Sequence, residues 1–168
     1  MILLTAMGVS LAAALSAQSA GISEHEEERS RRITRAFNEL SIDTFAILDD
    51  FYAENVEFAD PLVVVHGLAD LRAYYSKMYR RVEEISFEIH EEVAQDDTHV
   101  VTWTMRFRAK KMNRGNEILV DGNSIIRFRD DNKVIYHRDY FDMDQLVYRH
   151  IPVLKLLTGF INNRIKRT

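Results

Sequence analysis

The chain has 168 residues, no cysteine and two prolines, with 46% hydrophobic and 29% charged residues and a formal net charge of −4. That length suits one domain, which buries roughly 70% of the surface its unfolded chain exposes. The missing cysteines exclude a disulfide scaffold, a thiol nucleophile and a thiolate metal site. The acidic balance argues against a nucleic-acid binder, which carries a basic surplus.

The averages conceal three unlike parts. Residues 1–20 hold fourteen apolar residues and no charge; the first charged residue is Glu24 and the first aromatic Phe37. Residues 145–168 carry five Lys or Arg and no acid, so 24–144 hold all 26 acids against 17 bases, a net of −9. The chain therefore divides into an apolar leader (1–22), an acidic domain (23–148) and a basic apolar tail (149–168). In the leader, Ala17-Gln18-Ser19 resembles the small-x-small cleavage site of a secretory signal peptide, yet no Lys or Arg precedes the apolar run 11–15. Export and a leader helix packed on a cytoplasmic domain both stand as readings, the cytoplasmic one slightly favoured.

In chain order, Ser23 followed by Glu24, Glu26, Glu27 and Glu28 opens a helix, with Ser as N-cap and acids where the helix dipole favours them. Ile33, Phe37 and Leu40 then share one face. A second helix is predicted from Asp43, burying Phe45, Leu48 and Tyr52. Val56 and Phe58 alternate as a short strand ending at Asp60-Pro61, and 63–66 form another, closed by Gly67. Residues 68–81 read as a third helix with Leu71, Tyr74 or Tyr75, and Met78 inward. The period then changes to two. Ile85, Phe87 and Ile89 alternate with polar residues up to a turn at 95–98. The strand 99–110 puts Trp103, Met105 and Phe107 on one face and Thr102, Thr104, Arg106 and Arg108 on the other. Turns at 113–116 and 130–132 bound two more long strands, 118–129 and 133–141. Long strands joined by short polar turns form an antiparallel meander. The order predicts an α+β fold with helices on one face of a curved sheet. In the tail, Val153, Leu156 or Leu157, Phe160, Ile161 and Ile165 recur at helical spacing beside Lys155, Arg164, Lys166 and Arg167. Such a basic amphipathic helix serves either peripheral membrane contact or packing on its own domain or a dimer mate.

Two segments carry a family resemblance. Phe58-Ala59-Asp60-Pro61, then His66-Gly67-Leu68 through Tyr74-Tyr75, is similar to the "DP…G…yy" segment of the nuclear transport factor 2-like superfamily. Ile125-Ile126-Arg127-Phe128, an acidic turn, and Val134 through Asp142 resemble the ending of its SnoaL-like branch, and the overall texture is that of bacterial SnoaL-like proteins. The resemblance spans roughly residues 30–148. It implies a cone: a curved, mixed sheet packed on three helices, enclosing a pocket that small apolar molecules enter, with the tail helix as an extra. Ketosteroid isomerases, limonene epoxide hydrolases and polyketide cyclases share this superfamily, so the fold alone does not choose a chemistry.

The resemblance places Asp60 at the isomerase general base, a pattern that also needs a tyrosine and a protonated aspartic acid as oxyanion donors. Ala36 and Ser124 stand at those two positions, so steroid isomerisation is not expected. Asp139 matches one aspartate of the epoxide hydrolases, with Arg106 at their arginine. Their second aspartate is absent, because no acid occurs between Asp97 and Glu117. What remains is Asp60, His137 and Asp139 as candidate acid–base residues, with Trp103, Met105, Ser124, Phe141 and Tyr74 lining the pocket. Asp121 or Ser124 is a further contributor, the face of that strand depending on whether Gly122 forms a bulge. Each candidate has a structural alternative: Asp60 as a turn cap, His137 as a hydrogen-bonded core histidine, Asp139 as a cross-strand partner of Arg106 or Arg108. No metal-ligand spacing is present, and no cofactor is expected. The expected partners are a small hydrophobic molecule and a second copy of the chain, through the outer sheet face. The competing reading is a non-catalytic, dimeric binding or assembly module.

Overall fold

A computed structural model describes residues 24–110, 112–150 and 164. The leader and the tail helix expected from the sequence thus lie outside the described residues, Arg164 aside. The elements run α1 (Glu24–Glu39), α2 (Ala46–Phe51), β1 (Tyr52–Ala59), β2 (Val64–His66), α3 (Leu68–Tyr79), β3 (Val82–Gln95), β4 (Thr98–Ala109), β5 (Ile118–Phe128), β6 (Val134–Phe141) and α4 (Met143–Leu146). Among the described residues no helix is long and apolar enough to cross a membrane.

The six strands form one sheet in the order β2-β1-β6-β5-β4-β3. Every neighbouring pair is antiparallel except β1 with β6, which is parallel, so the sheet is mixed. The α+β cone expected from the sequence is the observed architecture. The turns fall where polar clusters announced them: β3 passes to β4 through Asp96-Asp97, with Asp96 at φ 54°, and β5 to β6 through a turn with Asn132 at φ 60°. Asp and Asn tolerate this left-handed backbone because their short side chains bond locally.

Alternation decides which side chains meet the helices. β4 and β5 pair without a register shift from Thr98↔Arg127 to Phe107↔Ile118. His99, Val101, Trp103, Met105 and Phe107 therefore face inward with Ile126, Ser124, Gly122, Val120 and Ile118. No bulge forms at Gly122, which settles the face of β5. Gly122 lies under the indole of Trp103, and a Cβ there would come within 2.3 Å of that ring. Asp121 consequently faces outward, accepting a hydrogen bond from Thr104 at 2.8 Å and one from Gln145 at 3.0 Å. The helices cover the inner face with Ile33, Leu48, Phe51 and Leu71, none more than 1% exposed.

The second helix is shorter than expected. It ends at Phe51, and the chain enters β1 at Tyr52, four residues before the anticipated strand. The cause is non-local: Tyr52 pairs with Val134 of β6, a partner that local periodicity does not reveal. At the opposite end of the sheet from Asp60, Arg29 of α1 reaches from the helix into the turns. It is 4% exposed, ion-pairs with Asp97 at 2.9 Å, donates to Asn132 and the Asp96 carbonyl, and lies over the Phe128 ring. Beside it the fully buried His99 bonds Glu92 at 2.6 Å, and Ser30 donates to the same carboxylate oxygen. These bonds pin α1 across the β3–β4 and β5–β6 turns.

Candidate functional site

The inner face carries a polar cluster where β1 and β6 end. β6 presents His137, Asp139 and Phe141 opposite Ile126, Ser124 and Gly122 of β5. β1 runs alongside with Phe58↔His137 and Ala59↔Arg138 as its last pairs, so Asp60 stands one step further on, level with Asp139.

His137 is 2% exposed, with the rings of Phe37, Tyr52 and Phe58 centred 5.8, 5.9 and 5.3 Å from its own. Its Nδ1 lies 2.6 Å from the Tyr52 hydroxyl and its Nε2 2.8 Å from Asp139 Oδ1. An ionised carboxylate only accepts. The network therefore assigns the proton to Nε2, which donates to Asp139, while the Tyr52 hydroxyl donates to Nδ1. Ser124 Oγ donates to the same Asp139 Oδ1 at 2.5 Å, and Trp103 Nε1 donates to Ser124 Oγ at 2.9 Å. Five side chains thus form one chain of bonds. Both bonds to Asp139 end on Oδ1; its Oδ2 has no hydrogen-bond partner among the described residues, and the side chain keeps 18% exposure.

Asp60 is held differently. Its Oδ1 accepts from the backbone N–H of Leu62 and Val63 at 2.7 and 2.9 Å, and its Oδ2 accepts from the Tyr74 hydroxyl at 2.5 Å. The turn-capping reading is therefore realised, and both oxygens are engaged. Burial pushes the phenols of Tyr52, Tyr74 and Tyr75 well above the usual tyrosine range, and the charge of Asp139 adds to each. All three stay protonated donors, the Tyr75 hydroxyl standing beside that of Tyr52.

The structure thus joins His137, Asp139, Ser124 and Trp103 in one network and leaves Asp60 with Tyr74 in a second. Met105 and Phe141 are half-buried and pack against both apolar clusters of the interior. Arg106 and Arg108 do not meet Asp139: they lie on the outer face, Arg106 3.2 Å from Glu88 and Arg108 paired with Glu84. Arg106 is thereby removed as a counterpart of the epoxide-hydrolase arginine. Tyr52 and Tyr75 were not singled out by the sequence as site residues. The sequence puts Tyr52 on a helix, and nothing local links it to a histidine 85 residues away.

An open groove of about 640 Å3, which shares Tyr52 with this network, is lined by Asp49, Tyr52, Glu54, Asn55, Leu68, Arg129, Asp131 and Lys133. Most of its charges are already engaged: Arg129 with Asp131, Lys133 with the Asp49 carbonyl, and the Asp49 carboxylate with Arg72. Among the described residues no group of three His, Asp or Glu could hold a metal ion.

The sequence profile of the SnoaL-like domain matches residues 31–137, more than half the chain. The chain belongs to the SnoaL-like family. Solved structures agree at the level of the fold. A SnoaL-like protein named for polyketide cyclases, from Jannaschia sp. CCS1, has a TM-score of 0.66 at 15% identity, over 77% of this chain and 94% of its own. An LEH-like epoxide hydrolase from M. tuberculosis gives 0.62 at 16% identity, over 79% and 96%. A protein of ketosteroid isomerase-like fold from Catenulispora acidiphila, crystallised with trimethylamine, gives 0.62 at 12% identity, over 73% and 92%. No curated protein matches the chain. The SnoaL-like match ends at His137, so Asp139 and Phe141 lie just beyond it while completing the same strand.

Proposed function

We propose that this SnoaL-like domain binds a small hydrophobic molecule against the inner face of its sheet and moves a proton on it with Asp139. The observation that carries this reading is the asymmetry of the Asp139 carboxylate. Oδ1 is anchored by two donors, His137 and Ser124, while Oδ2 has no hydrogen-bond partner among the described residues. A general base needs a carboxylate oriented by its surroundings with one oxygen free for the proton. His137 is buried among rings and acts through Asp139, so it is a positioning residue. Asp60, with both oxygens engaged, holds the turn and Tyr74 at the rim. The complex of the Catenulispora acidiphila protein with trimethylamine supports the idea that this fold admits small organic molecules.

The test is proton exchange at carbon. A panel of hydrophobic cyclic ketones is incubated with the full chain in D2O, and deuterium uptake beside the carbonyl is followed by mass spectrometry. The wild-type chain should accelerate uptake for a bound ketone, and Asp139→Asn should slow it by about a hundredfold, the scale of general base catalysis, without loss of binding. Equal uptake by both proteins, or none by either, removes Asp139 from the role.

A further inference from the structure

Resting on the reading of the inner sheet face as a ligand site, we infer that its occupant is a hydrophobic cation, a protonated or quaternary amine on a carbon-rich body. The juxtaposition behind this is a belt of aromatic rings beside two carboxylates, with every arginine of the sheet turned the other way.

The belt is continuous. Trp103 meets Phe87 at 5.4 Å between ring centroids, Phe87 meets Phe37 at 5.0 Å, Phe37 stacks on His137 at 5.8 Å, His137 meets Phe58 at 5.3 Å, and Phe58 meets Tyr74 at 5.9 Å. Trp103, His137 and Phe58 are 1–3% exposed, and the belt opens at Phe37, Tyr74 and Phe87, which are only partly buried. The carboxylates sit along it: Asp139 bonds the histidine of the belt, and Asp60 bonds Tyr74.

The cations of the strands point elsewhere. The six strands contain no lysine and four arginines: Arg106, Arg108, Arg127 and Arg138. Alternation puts all four on the outer face, opposite in sense to Trp103, Phe107, Ile126 and His137. Their partners confirm it: Arg106 meets Glu88, Arg108 meets Glu84, Arg127 covers the Tyr136 ring, and Arg138 covers that of Tyr140. Asp60 and Asp139 thus put two carboxylates beside the belt, and no strand arginine faces them.

The two kinds of ligand then differ in sign. A neutral apolar molecule laid over Asp139 strips water from a carboxylate oxygen and returns nothing, a desolvation that is costly. A cation in the same place is attracted by the carboxylates and by the ring faces, the physics of aromatic cages for quaternary ammonium groups. Tenfold discrimination needs only about 1.4 kcal/mol, within the range of one desolvated cation–π contact.

A matched pair of probes tests this. Phenyltrimethylammonium and tert-butylbenzene have the same shape and differ by one charge; phenylacetate supplies the opposite charge. Binding to the full chain is read by fluorescence of Trp103, the only tryptophan, and by native mass spectrometry. The expected result is ammonium affinity at least tenfold above that of tert-butylbenzene, no preference for phenylacetate, and loss of the ammonium advantage in Asp139→Asn. The wild-type comparison stands alone if that variant folds poorly. Equal affinities, a preference for either other probe, or binding of none of them overturns the inference. The ketone exchange separates this from the general-base reading: cation preference without exchange removes only the base role, and exchange without cation preference removes only the cation.

Discussion

Replacing Gly122 with alanine puts a methyl group into space that the Trp103 indole occupies. The added Cβ would meet three ring carbons at 2.3, 2.6 and 2.7 Å, whereas carbon atoms rest about 3.5–4.0 Å apart. The ring must therefore retreat by more than about 1 Å, and it cannot do so while its Nε1 stays 2.9 Å from Ser124 Oγ. Overpacking of this kind costs about 1–3 kcal/mol, and the lost hydrogen bond about 1 kcal/mol more. Relief of the entropic penalty of glycine in a strand returns roughly 0.5–1 kcal/mol. The net expectation is a destabilisation of about 1–3 kcal/mol, a fall in Tm of roughly 3–10 °C for a domain of this size. Thermal and urea unfolding measure it. Because Trp103 is the only tryptophan, its emission reports the ring directly and should shift to the red. The companion variant Trp103→Leu should lose most of the sensitivity to Gly122→Ala, a coupling that a double-mutant cycle reads. A Gly122→Ala protein with unchanged Tm and unchanged emission refutes the packing of indole on glycine.

Three further outcomes follow from the same geometry. Burial raises the Tyr52 phenol above its unfolded value near 10, so its contribution is fully present below pH 10 and is lost as pH rises beyond that, by about 1.4 kcal/mol per pH unit; Tyr52→Phe should flatten the alkaline limb of urea stability by about one proton, and an unchanged slope would contradict it. Arg29→Ala removes several hydrogen bonds, the packing on Phe128 and an ion pair to the 58% exposed Asp97 from a site itself 4% exposed, and should cost about 1–3 kcal/mol, whereas Arg31→Ala, whose side chain is 64% exposed, should change stability by less than about 0.5 kcal/mol in the same assay. Ser124→Ala leaves Trp103 Nε1 without its acceptor and Asp139 with one donor fewer; it should cost about 1–3 kcal/mol and alter Trp103 emission, and a silent substitution would show that the Ser124 link is not formed.

The sequence by itself determined the long strands, their turns and, except on β5, which way their side chains face. Trp103, Met105 and Phe107 inward against Arg106 and Arg108 outward is a period-two pattern, and it also placed His137, Asp139 and Phe141 on one face. The segment around Asp60-Pro61 and the ending of the meander pointed to the SnoaL-like family, which the match over residues 31–137 shows. All of this is local: each inference uses residues within one strand, turn or helix. The tertiary structure decided what those faces touch. Tyr52 lies 85 residues from His137, Trp103 lies 21 from Ser124, and Ser124 lies 15 from Asp139, and such bonds exist only once β1 docks parallel to β6 and the meander fixes its register. The same docking moved Tyr52 from an expected helix to a strand, because pairing with Val134 outweighs a weak local preference. It also turned the glycine at 122 from a suspected bulge into the floor beneath an indole. The net charge of −4 came from composition; that two of those acids face the ring-lined interior while every strand arginine faces away came from the sheet.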